Sequence, residues 1–247
     1  MDQVKIRVLG CGDAFGSGGR FQTSFMVSCA AEACLLDCGA TALVAMRRLA
    51  IDPTSIDAIF LSHLHGDHFA GVPFFLLEQH FIERRQQPLL IAGPPDTERR
   101  VMAALEVFFP GSAKLSWGFP LRFTELSERR RARFGSFAIT PHVVDHPSGS
   151  AAFAFRLEIG GRRIGYSGDT EWTDALLQVA RDADLFITEC YAFDSSPLHH
   201  MDYNALRQHL HELHAKRLLL THLSQEMLDR LPEVNLEVAE DGQLIEL

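Results

Sequence analysis

The chain has 247 residues, 47% of them hydrophobic and 22% charged, so it is long enough to bury a sizeable core. The net charge of −9 argues against a long nucleic-acid ligand, because such binding depends on Lys and Arg neutralising phosphates. No apolar stretch approaches the length of a membrane span, and the first residues lack the hydrophobic region of a signal peptide. Five cysteines without a Cys-x-x-Cys pair indicate free thiols in a reducing compartment, and we expect a cytoplasmic protein.

The first predicted strand, residues 4–9, leads into a glycine-rich loop. Its glycines Gly10, Gly12 and Gly16 are spaced much like a dinucleotide-binding fingerprint, but the third comes one residue late. A strand-like segment over residues 24–27 follows where the fingerprint needs a helix. We therefore reject a phosphate-binding role for this glycine-rich loop and predict that it is a flexible loop beside the functional pocket.

A cluster of metal-binding residue types follows the short apolar strand predicted over residues 58–62. It comprises His63, His65, Asp67 and His68. Side chains alternate along an extended segment, so the first two histidines project to one side, and the glycine after them lets the chain turn. Imidazole and carboxylate groups suit zinc and similar divalent ions. One ion taking the first two residues and a second ion taking the last two would use all four. A histidine-rich surface loop is the alternative.

Four ligands cannot complete two metal sites, so more are expected elsewhere. Three other strand-like segments run into such residues: 137–144 into His146, 163–166 into Asp169, and 218–220 into His222. The ends of strands are where α/β sheets present their ligand sites. Alternation leaves His142 and His146 both open as the ligand after the first of these strands.

Two features each have a second interpretation. Asp37 is either a partner that orients a histidine ligand or the N-terminal cap of a helix predicted over residues 41–49. The basic run of residues 129–133 could grip phosphate groups. We favour the other interpretation of the run, a solvated hairpin connection between strands over residues 121–124 and 134–140.

Strands and helices alternate in both halves of the chain. Further strands are predicted over residues 89–92, 152–159, 162–166 and 185–188, and helices over 72–82, 97–109, 173–180 and 203–213. This alternation favours an α/β fold of the αββα sandwich type, with two packed mixed sheets and helices outside. We expect one domain over residues 1–247, with pseudo-equivalent halves of roughly 1–125 and 134–247.

The pattern His63-x-His65-x-Asp67-His68, followed by His146, the turn Gly168-Asp169-Thr170 and His222, resembles the metallo-β-lactamase superfamily of binuclear hydrolases. The resemblance covers nearly the whole chain and is strongest to the branch of ribonuclease Z and the cyclic phosphodiesterase of phosphonate metabolism. It implies the αββα fold and two divalent ions, zinc or manganese. It assigns His63, His65 and His146 to one ion, Asp67, His68 and His222 to the other, and Asp169 as the bridging carboxylate.

In that branch a glutamate and a histidine between the bridging Asp and the last ligand protonate the leaving group. Glu189 and His200 match these places, with His199 adjacent to the histidine, and Asp67 would receive the proton of the attacking water. The resemblance therefore implies a phosphodiesterase that attacks with a metal-bridging hydroxide.

The acidic charge and the missing tRNA-binding arm favour a small phosphodiester substrate, such as a cyclic phosphate or a nucleotide diester, over tRNA 3′ processing. A lactonase or other carboxylic ester hydrolase is the alternative, although acyl-homoserine lactonases place a tyrosine where Trp172 stands. We expect no membrane partner, and the sequence leaves a homodimer open.

Overall fold

The computed structural model describes residues 3–30, 32–194 and 199–247, and within them the chain forms two seven-stranded sheets. The first sheet consists of β1 (Val4–Gly10), β2 (Ser24–Cys29), β3 (Glu32–Leu36), β4 (Ala58–Phe60), β5 (Leu89–Gly93), β6 (Leu121–Glu125) and, beside β1, the last strand β14 (Leu244–Glu246). The second consists of β7 (Ala132–Phe134), β8 (Phe137–Val144), β9 (Ala152–Ile159), β10 (Arg162–Tyr166), β11 (Leu185–Glu189), β12 (Leu218–Thr221) and β13 (Glu237–Val238).

The two sheets have the same pairing pattern. Across the first, β14, β1, β2 and β3 pair antiparallel, and β3 through β6 pair parallel. Across the second, β7 through β10 pair antiparallel, and β10 through β13 pair parallel. Parallel neighbours need crossover connections, and the helices of the chain occupy those connections. The strand β14 returns from the end of the chain to the first sheet, while the division into halves stays a prediction.

Seven helices lie in the described part of the chain. They are α1 (Ala42–Arg48), α2 (Gly66–Phe69), α3 (Gly71–Phe81), α4 (Thr97–Phe108), α5 (Ala175–Ala180), α6 (Tyr203–His209) and α7 (Gln225–Asp229). The helix predicted over residues 203–213 ends earlier than expected, because a 3-10 turn over Leu210–Glu212 follows α6. None of the helices described here is long and apolar enough to cross a bilayer.

The chain buries three apolar layers. The central layer lies between the sheets and contains residues of both, among them Val8, Phe25, Phe60, Ile139 and Phe155. A second layer packs α1, α3 and α4 on the outer face of the first sheet, and a third packs α5, α6 and α7 on the second. The predicted αββα sandwich is therefore confirmed.

The hairpin predicted around the basic run is wrong. The strand β6 lies at an edge of the first sheet, whereas β7 and β8 belong to the second, so residues 126–131 connect the two sheets. The hairpin partner of β8 is the short strand β7, which begins at Ala132 inside the basic run. Arg131 pairs with Glu158 at 2.5 Å, and the backbone N–H of Arg129 donates to the carbonyl of Pro141 at 2.7 Å.

Backbone hydrogen bonds join the two sheets where the strands β4 and β12 end. The N–H of Phe153 in the second sheet donates to the carbonyl of Ser62, which follows β4 in the first, at 2.9 Å. The N–H of His222, just after β12, donates to the carbonyl of Cys11 at 2.9 Å. These bonds bring the predicted ligand segments of both sheets to one edge of the sandwich.

Candidate metal centre

The segment after β4 presents four candidate ligands in two directions. His65 keeps an extended backbone (φ −79°, ψ 150°), and the single turn α2 begins at the next residue, Gly66. The extended part carries His63 and His65, whereas the helical turn carries Asp67 and His68. The change of direction is the one predicted from the glycine, and all four side chains reach the same hollow.

Three further candidates come from strand ends of the second sheet. His146 follows β8, Asp169 follows β10 and His222 follows β12. Gly168 has φ +58°, and a Cβ there would lie 2.9 Å from Cβ of Ser62, so the turn that delivers Asp169 requires glycine.

The seven candidates form two groups, and within each group the possible ligand atoms all lie within 4.8 Å of one another. The groups are His63 with His65 and His146, and Asp67 with His68, Asp169 and His222. The Asp169 carboxylate lies between them: its Oδ2 is 3.8 Å from His63 Nε2 and 3.3 Å from His222 Nε2, and its Oδ1 is 3.2 Å from His68 Nε2. Asp169 therefore occupies the position that a carboxylate bridging two ions would need.

Among the described residues the buried His63 Nε2 lacks a hydrogen-bond partner, and His68 Nε2 makes no well-aligned hydrogen bond although Asp67 Oδ2 and Asp169 Oδ1 each lie 3.2 Å away. A buried polar atom without a partner costs about 1–3 kcal/mol. A cation bound by these nitrogens would remove that cost, and imidazole with carboxylate is a ligand set that zinc and similar divalent ions prefer. The residues present therefore fit two divalent metal ions.

The outer nitrogens of four histidines are held by the surrounding chain. These contacts join His63 Nδ1 to Ser62 Oγ (3.0 Å), His68 Nδ1 to Asp37 Oδ2 (2.7 Å), His146 Nδ1 to the carbonyl of His199 (2.9 Å) and His222 Nδ1 to Thr23 Oγ1 (3.0 Å). A proton on Nδ1 leaves Nε2 with a free lone pair toward the hollow. His65 differs, because its Nδ1 faces the cluster, 2.9 Å from His146 Nε2.

Asp37 belongs to the support of the cluster. Its carboxylate accepts hydrogen bonds from the N–H and Oγ of Ser62, both at 2.7 Å, from the Tyr166 hydroxyl at 2.5 Å and from His68 Nδ1 at 2.7 Å. Its backbone is left-handed (φ +59°), and α1 is preceded by Thr41, so Asp37 does not cap that helix. Of the two interpretations of Asp37, the orienting partner is the one that the structure supports.

Charges within the cluster favour cation binding. Burial, followed by the neighbouring His68, holds the pKa of His63 well below its usual range. Burial opposes ionisation of Asp169, but the charges of His222 and His68 outweigh it and hold the pKa of Asp169 well below its usual range. At neutral pH the hollow therefore holds the ionised Asp169 carboxylate beside the neutral His63 imidazole. Burial acts to lower the pKa of His68, but the charges of Asp169, Asp67 and Asp37 outweigh it and raise that pKa.

The predicted acid pair lies next to the candidate ligands. His200 Nδ1 is 3.1 Å from Glu189 Oε2, and the other carboxylate oxygen accepts the backbone N–H of Thr170. A ring nitrogen of His200 lies within 4.8 Å of ligand atoms of His146 and Asp169. Glu189 is fully buried at the end of β11, so its contact with His200 is sheltered from water.

The pair holds a proton near neutral pH. Burial acts to lower the pKa of His200, but the hydrogen bond and charge of Glu189 outweigh it and raise that pKa to about 9. Burial, followed by the charge of Asp169, raises the pKa of Glu189. A shared proton at this place is what a donor to a leaving group requires.

His199 points elsewhere. Its Nδ1 lies 3.1 Å from Asp145 at the surface, and its backbone carbonyl supports His146. Geometry therefore favours His200 over His199 as the acid, and that role stays a prediction. The alternative ligand His142 is in none of the histidine and acidic groups of the described chain.

Three supporting residues were not predicted: Tyr166, Thr23 and Ser62. Tyr166 ends an apolar strand and is indistinguishable in sequence from a core aromatic residue. Thr23 lies 199 positions from the histidine that it holds. Ser62 is the one of the three with a signal in the sequence, because it directly precedes His63, the first residue of the histidine motif.

Several known proteins resemble this chain in sequence over most of its length. A family model described as Anti-Pycsar protein Apyc1 matches residues 4–244. The protein Rv1339 of Mycobacterium tuberculosis is 31% identical over 227 residues, covering 89% of this chain and 81% of its own. A ribonuclease Z of Methanosarcina acetivorans is 26% identical over 300 residues, covering 99% and 98%.

A solved structure shows the same fold. The metallo-β-lactamase fold protein YhfI of Bacillus subtilis superimposes with a TM-score of 0.80 at 23% identity, covering 100% of both chains. Its sequence carries the name "Probable metallo-hydrolase YhfI" and is 26% identical over 226 residues, covering 89% of this chain and 87% of its own. The chain described here is thus a metal-binding hydrolase of the metallo-β-lactamase fold, and it belongs to the family of the Anti-Pycsar protein Apyc1.

Proposed function

We propose that this hydrolase cleaves small phosphodiesters, including cyclic or nucleotide diesters, with the help of two divalent ions. The observation that carries the proposal is the Glu189–His200 pair, held at 3.1 Å beside His146 and Asp169. An alkoxide leaving group needs a proton, and this pair stores one next to the cluster. Zinc and manganese are the ions that we propose.

The ions would be held by His63, His65 and His146 on one side and by Asp67, His68 and His222 on the other, with Asp169 between them. When bound, they supply Lewis acidity toward the phosphoryl oxygens and lower the pKa of water. Asp67 accepts the proton of the attacking water. His200 donates a proton to the departing oxygen, and Glu189 holds the His200 ring in position through Nδ1.

Ester hydrolysis without a dedicated acid is the second candidate. The site argues against it, because a lactonase does not need the His200 pair. Trp172, which takes the place of the lactonase tyrosine, stacks on His209 with ring centroids 3.9 Å apart and is used in that contact. A carboxylic ester substrate would therefore leave the Glu189–His200 pair without a purpose.

Processing of tRNA is less well supported than cleavage of small substrates. The alignment with the ribonuclease Z of Methanosarcina acetivorans runs over 300 positions, although this chain has 247 residues, so that protein carries segments without a counterpart here. The net charge of −9 is also unfavourable for a long phosphate backbone.

A substrate panel tests the proposal. The metal-loaded protein is assayed against bis-p-nitrophenyl phosphate, a cyclic nucleotide, a simple lactone and a precursor tRNA, with metal content measured on the same sample. We expect turnover of the two diesters and about two metal ions per chain. Preferential hydrolysis of the lactone or the tRNA, at full metal loading, would overturn the proposal.

A further inference from the structure

The basic run of residues 129–133 takes no part in the metal centre. It contributes instead to a cavity of about 370 Å³ on the second sheet, beside the hairpin of β9 and β10. Four arginines line this cavity: Arg131, Arg133, Arg162 and Arg163. Glu158 is the one acidic residue among its described lining residues. The cavity is therefore positively charged, although the chain as a whole has a net charge of −9.

The strand register places several of these residues in one row across four strands. Arg133 of β7 lies opposite Ala138 of β8. Ala138 in turn lies opposite Glu158 of β9, and Glu158 lies opposite Arg163 of β10. Residues directly opposite each other point to the same face of a sheet. The next residues along β8, β9 and β10 belong to the central apolar layer, so this row points to the outer face, where the small side chain of Ala138 leaves space between the longer ones.

The acidic residue of the cavity compensates only part of this charge. The carboxylate of Glu158 lies 2.5 Å from the guanidinium of Arg131 and 3.7 Å from that of Arg156, so two cations share it. Arg133 is exposed, and its guanidinium makes no ion pair or side-chain hydrogen bond with any described residue. Its donors are therefore available to an anion that enters the cavity.

The two arginines of β10 have acidic partners at the surface. Arg162 lies 3.3 Å from Asp184, whose carboxylate also contacts Lys216 at 2.8 Å. Arg163 lies 3.5 Å from Asp182, and both of these side chains are largely in solvent. Exposed pairs of this kind are worth little, about 0–1 kcal/mol each, so they compete only weakly with a further anion.

The cavity and the metal centre lie at opposite ends of the second sheet. Strand β8 runs from the cavity, at Ala138, to Val144 and then to the candidate ligand His146. At roughly 3.4 Å per residue, Ala138 and Val144 are about 20 Å apart. Val144 packs in the apolar layer under α5, α6 and α7, whereas the arginine side chains of the cavity are about half exposed. An anion bound here would not touch the metal centre.

The geometry of the cavity indicates the class of anion. A guanidinium group binds phosphate oxygens through paired, charge-assisted hydrogen bonds. The backbones of Arg133 and Arg163 are three strand spacings apart, or about 14 Å, so the arginines are spread more widely than a single phosphate group can contact. The volume lies in the range of small-molecule pockets, and the net charge of −9 disfavours a long nucleic acid.

We propose that the cavity lined by Arg131, Arg133, Arg162 and Arg163 binds an oligophosphate, namely the phosphate chain of a nucleoside triphosphate or of an inorganic polyphosphate. The chain lies along the row between β7 and β10, and the unpaired guanidinium of Arg133 binds one of its phosphate groups. This site is independent of the reaction at the metal centre, so its test needs no turnover.

Calorimetry of inorganic triphosphate with the metal-loaded protein tests the site. Any binding of triphosphate to the metal centre is common to the wild type and to variants of the cavity, so the difference between them reports the cavity alone. We expect Arg133→Gln to weaken the binding about tenfold, close to the lower limit for a hydrogen bond between charged groups because the residue is exposed. Arg133→Lys, which keeps the charge and loses the fork, should lie between the two.

The matched control is Arg84→Gln. Arg84 is likewise exposed, has no ion pair among the described residues and lies outside the cavity, so this variant changes the net charge equally and should bind triphosphate as the wild type does. Metal content before and after each titration, and the thermal midpoint, should be the same in all variants. An equal loss of affinity in Arg84→Gln would show a general effect of charge and overturn the site.

Further ligands identify the source of the phosphate chain. Adenosine triphosphate and inorganic triphosphate should both lose affinity in Arg133→Gln, and the tighter of the two names the source. Inorganic phosphate should bind more weakly than either, and equal binding of phosphate and triphosphate would overturn the oligophosphate assignment. Unchanged triphosphate affinity in Arg133→Gln would also overturn it. A single-stranded oligonucleotide that binds more tightly than triphosphate, and that loses affinity in Arg133→Gln, would replace the oligophosphate with a nucleic acid.

Discussion

Removal of the His200 imidazole should impair cleavage of poor leaving groups far more than cleavage of good ones. An alkoxide such as a ribose oxygen needs a proton as it departs, whereas a nitrophenolate leaves without one. Burial acts to lower the pKa of His200, but the hydrogen bond and charge of Glu189 raise it to about 9, so the protonated form predominates at pH 7. The wild type therefore carries the acid that His200→Ala lacks.

The magnitude follows from the role of a positioned acid. General acid catalysis contributes about 10²- to 10⁴-fold, which corresponds to roughly 2.7–5.4 kcal/mol of barrier. His200 meets the geometric condition, since its Nδ1 is fixed by buried Glu189 at 3.1 Å and its ring adjoins the ligand atoms of His146 and Asp169. We expect kcat of His200→Ala to fall by this factor on a cyclic nucleotide and by less than about tenfold on bis-p-nitrophenyl phosphate.

The assay measures kcat on both substrates at pH 7, with metal content determined for each preparation. His211→Ala, which removes an exposed histidine near the end of α6, is the matched control and should behave as wild type. Glu189→Gln combined with His200→Ala should be no worse than His200→Ala alone, because the two residues act as one unit. Equal losses on both substrates would refute the acid role, and loss of metal in His200→Ala would identify His200 as a ligand instead.

Three further tests, with five substitutions in all, address the ligands and their support. Asp169→Ala should remove most of the bound metal, since its carboxylate lies between both groups, and full occupancy by elemental analysis would disprove the bridging position. His146→Ala should lower metal content while His142→Ala leaves it unchanged, and the reverse result would exchange the two assignments. Asp37→Ala leaves several buried donors unpaired and should cost about 3–5 kcal/mol of unfolding free energy in denaturant titrations, whereas Tyr166→Phe, which removes one donor of the same network, should cost about 1 kcal/mol. Similar costs for the last two would show that Asp37 is not the centre of that network.

The candidate ligands could be predicted because each follows a strand closely in sequence. A short apolar run predicts a buried strand, and the residues just after it must lie at a sheet edge. His63, His65, Asp67 and His68 come from one such end, and the family resemblance supplied the pairing of the others. The spacing of residues along one chain segment was sufficient for this part of the site.

Contacts between distant segments could not be predicted. The sequence left two roles open for Asp37, orienting a histidine or capping a helix. The hydrogen bond that its carboxylate accepts from the Tyr166 hydroxyl joins residues 129 positions apart, so it could not be predicted. The connection after β6 was misplaced for a similar reason: adjacent strands in sequence usually pair, but β6 and β8 belong to different sheets.

Metal binding should contribute to the stability of the sandwich as well as to catalysis, because each ion would have ligands from both sheets. His63 and His65 follow β4 of the first sheet, whereas His146 and Asp169 follow β8 and β10 of the second. Without cations His63 Nε2 at the same edge has no hydrogen-bond partner among the described residues, and the buried Asp169 carboxylate depends on the neighbouring histidines for a charge of opposite sign. A ligand that binds only the folded state stabilises it by about 2.7 kcal/mol at one hundred times its Kd, so ions that join the sheets raise the cost of separating them. The residues that would hold the ions are therefore also the residues through which metal binding would stabilise the contact between the two sheets.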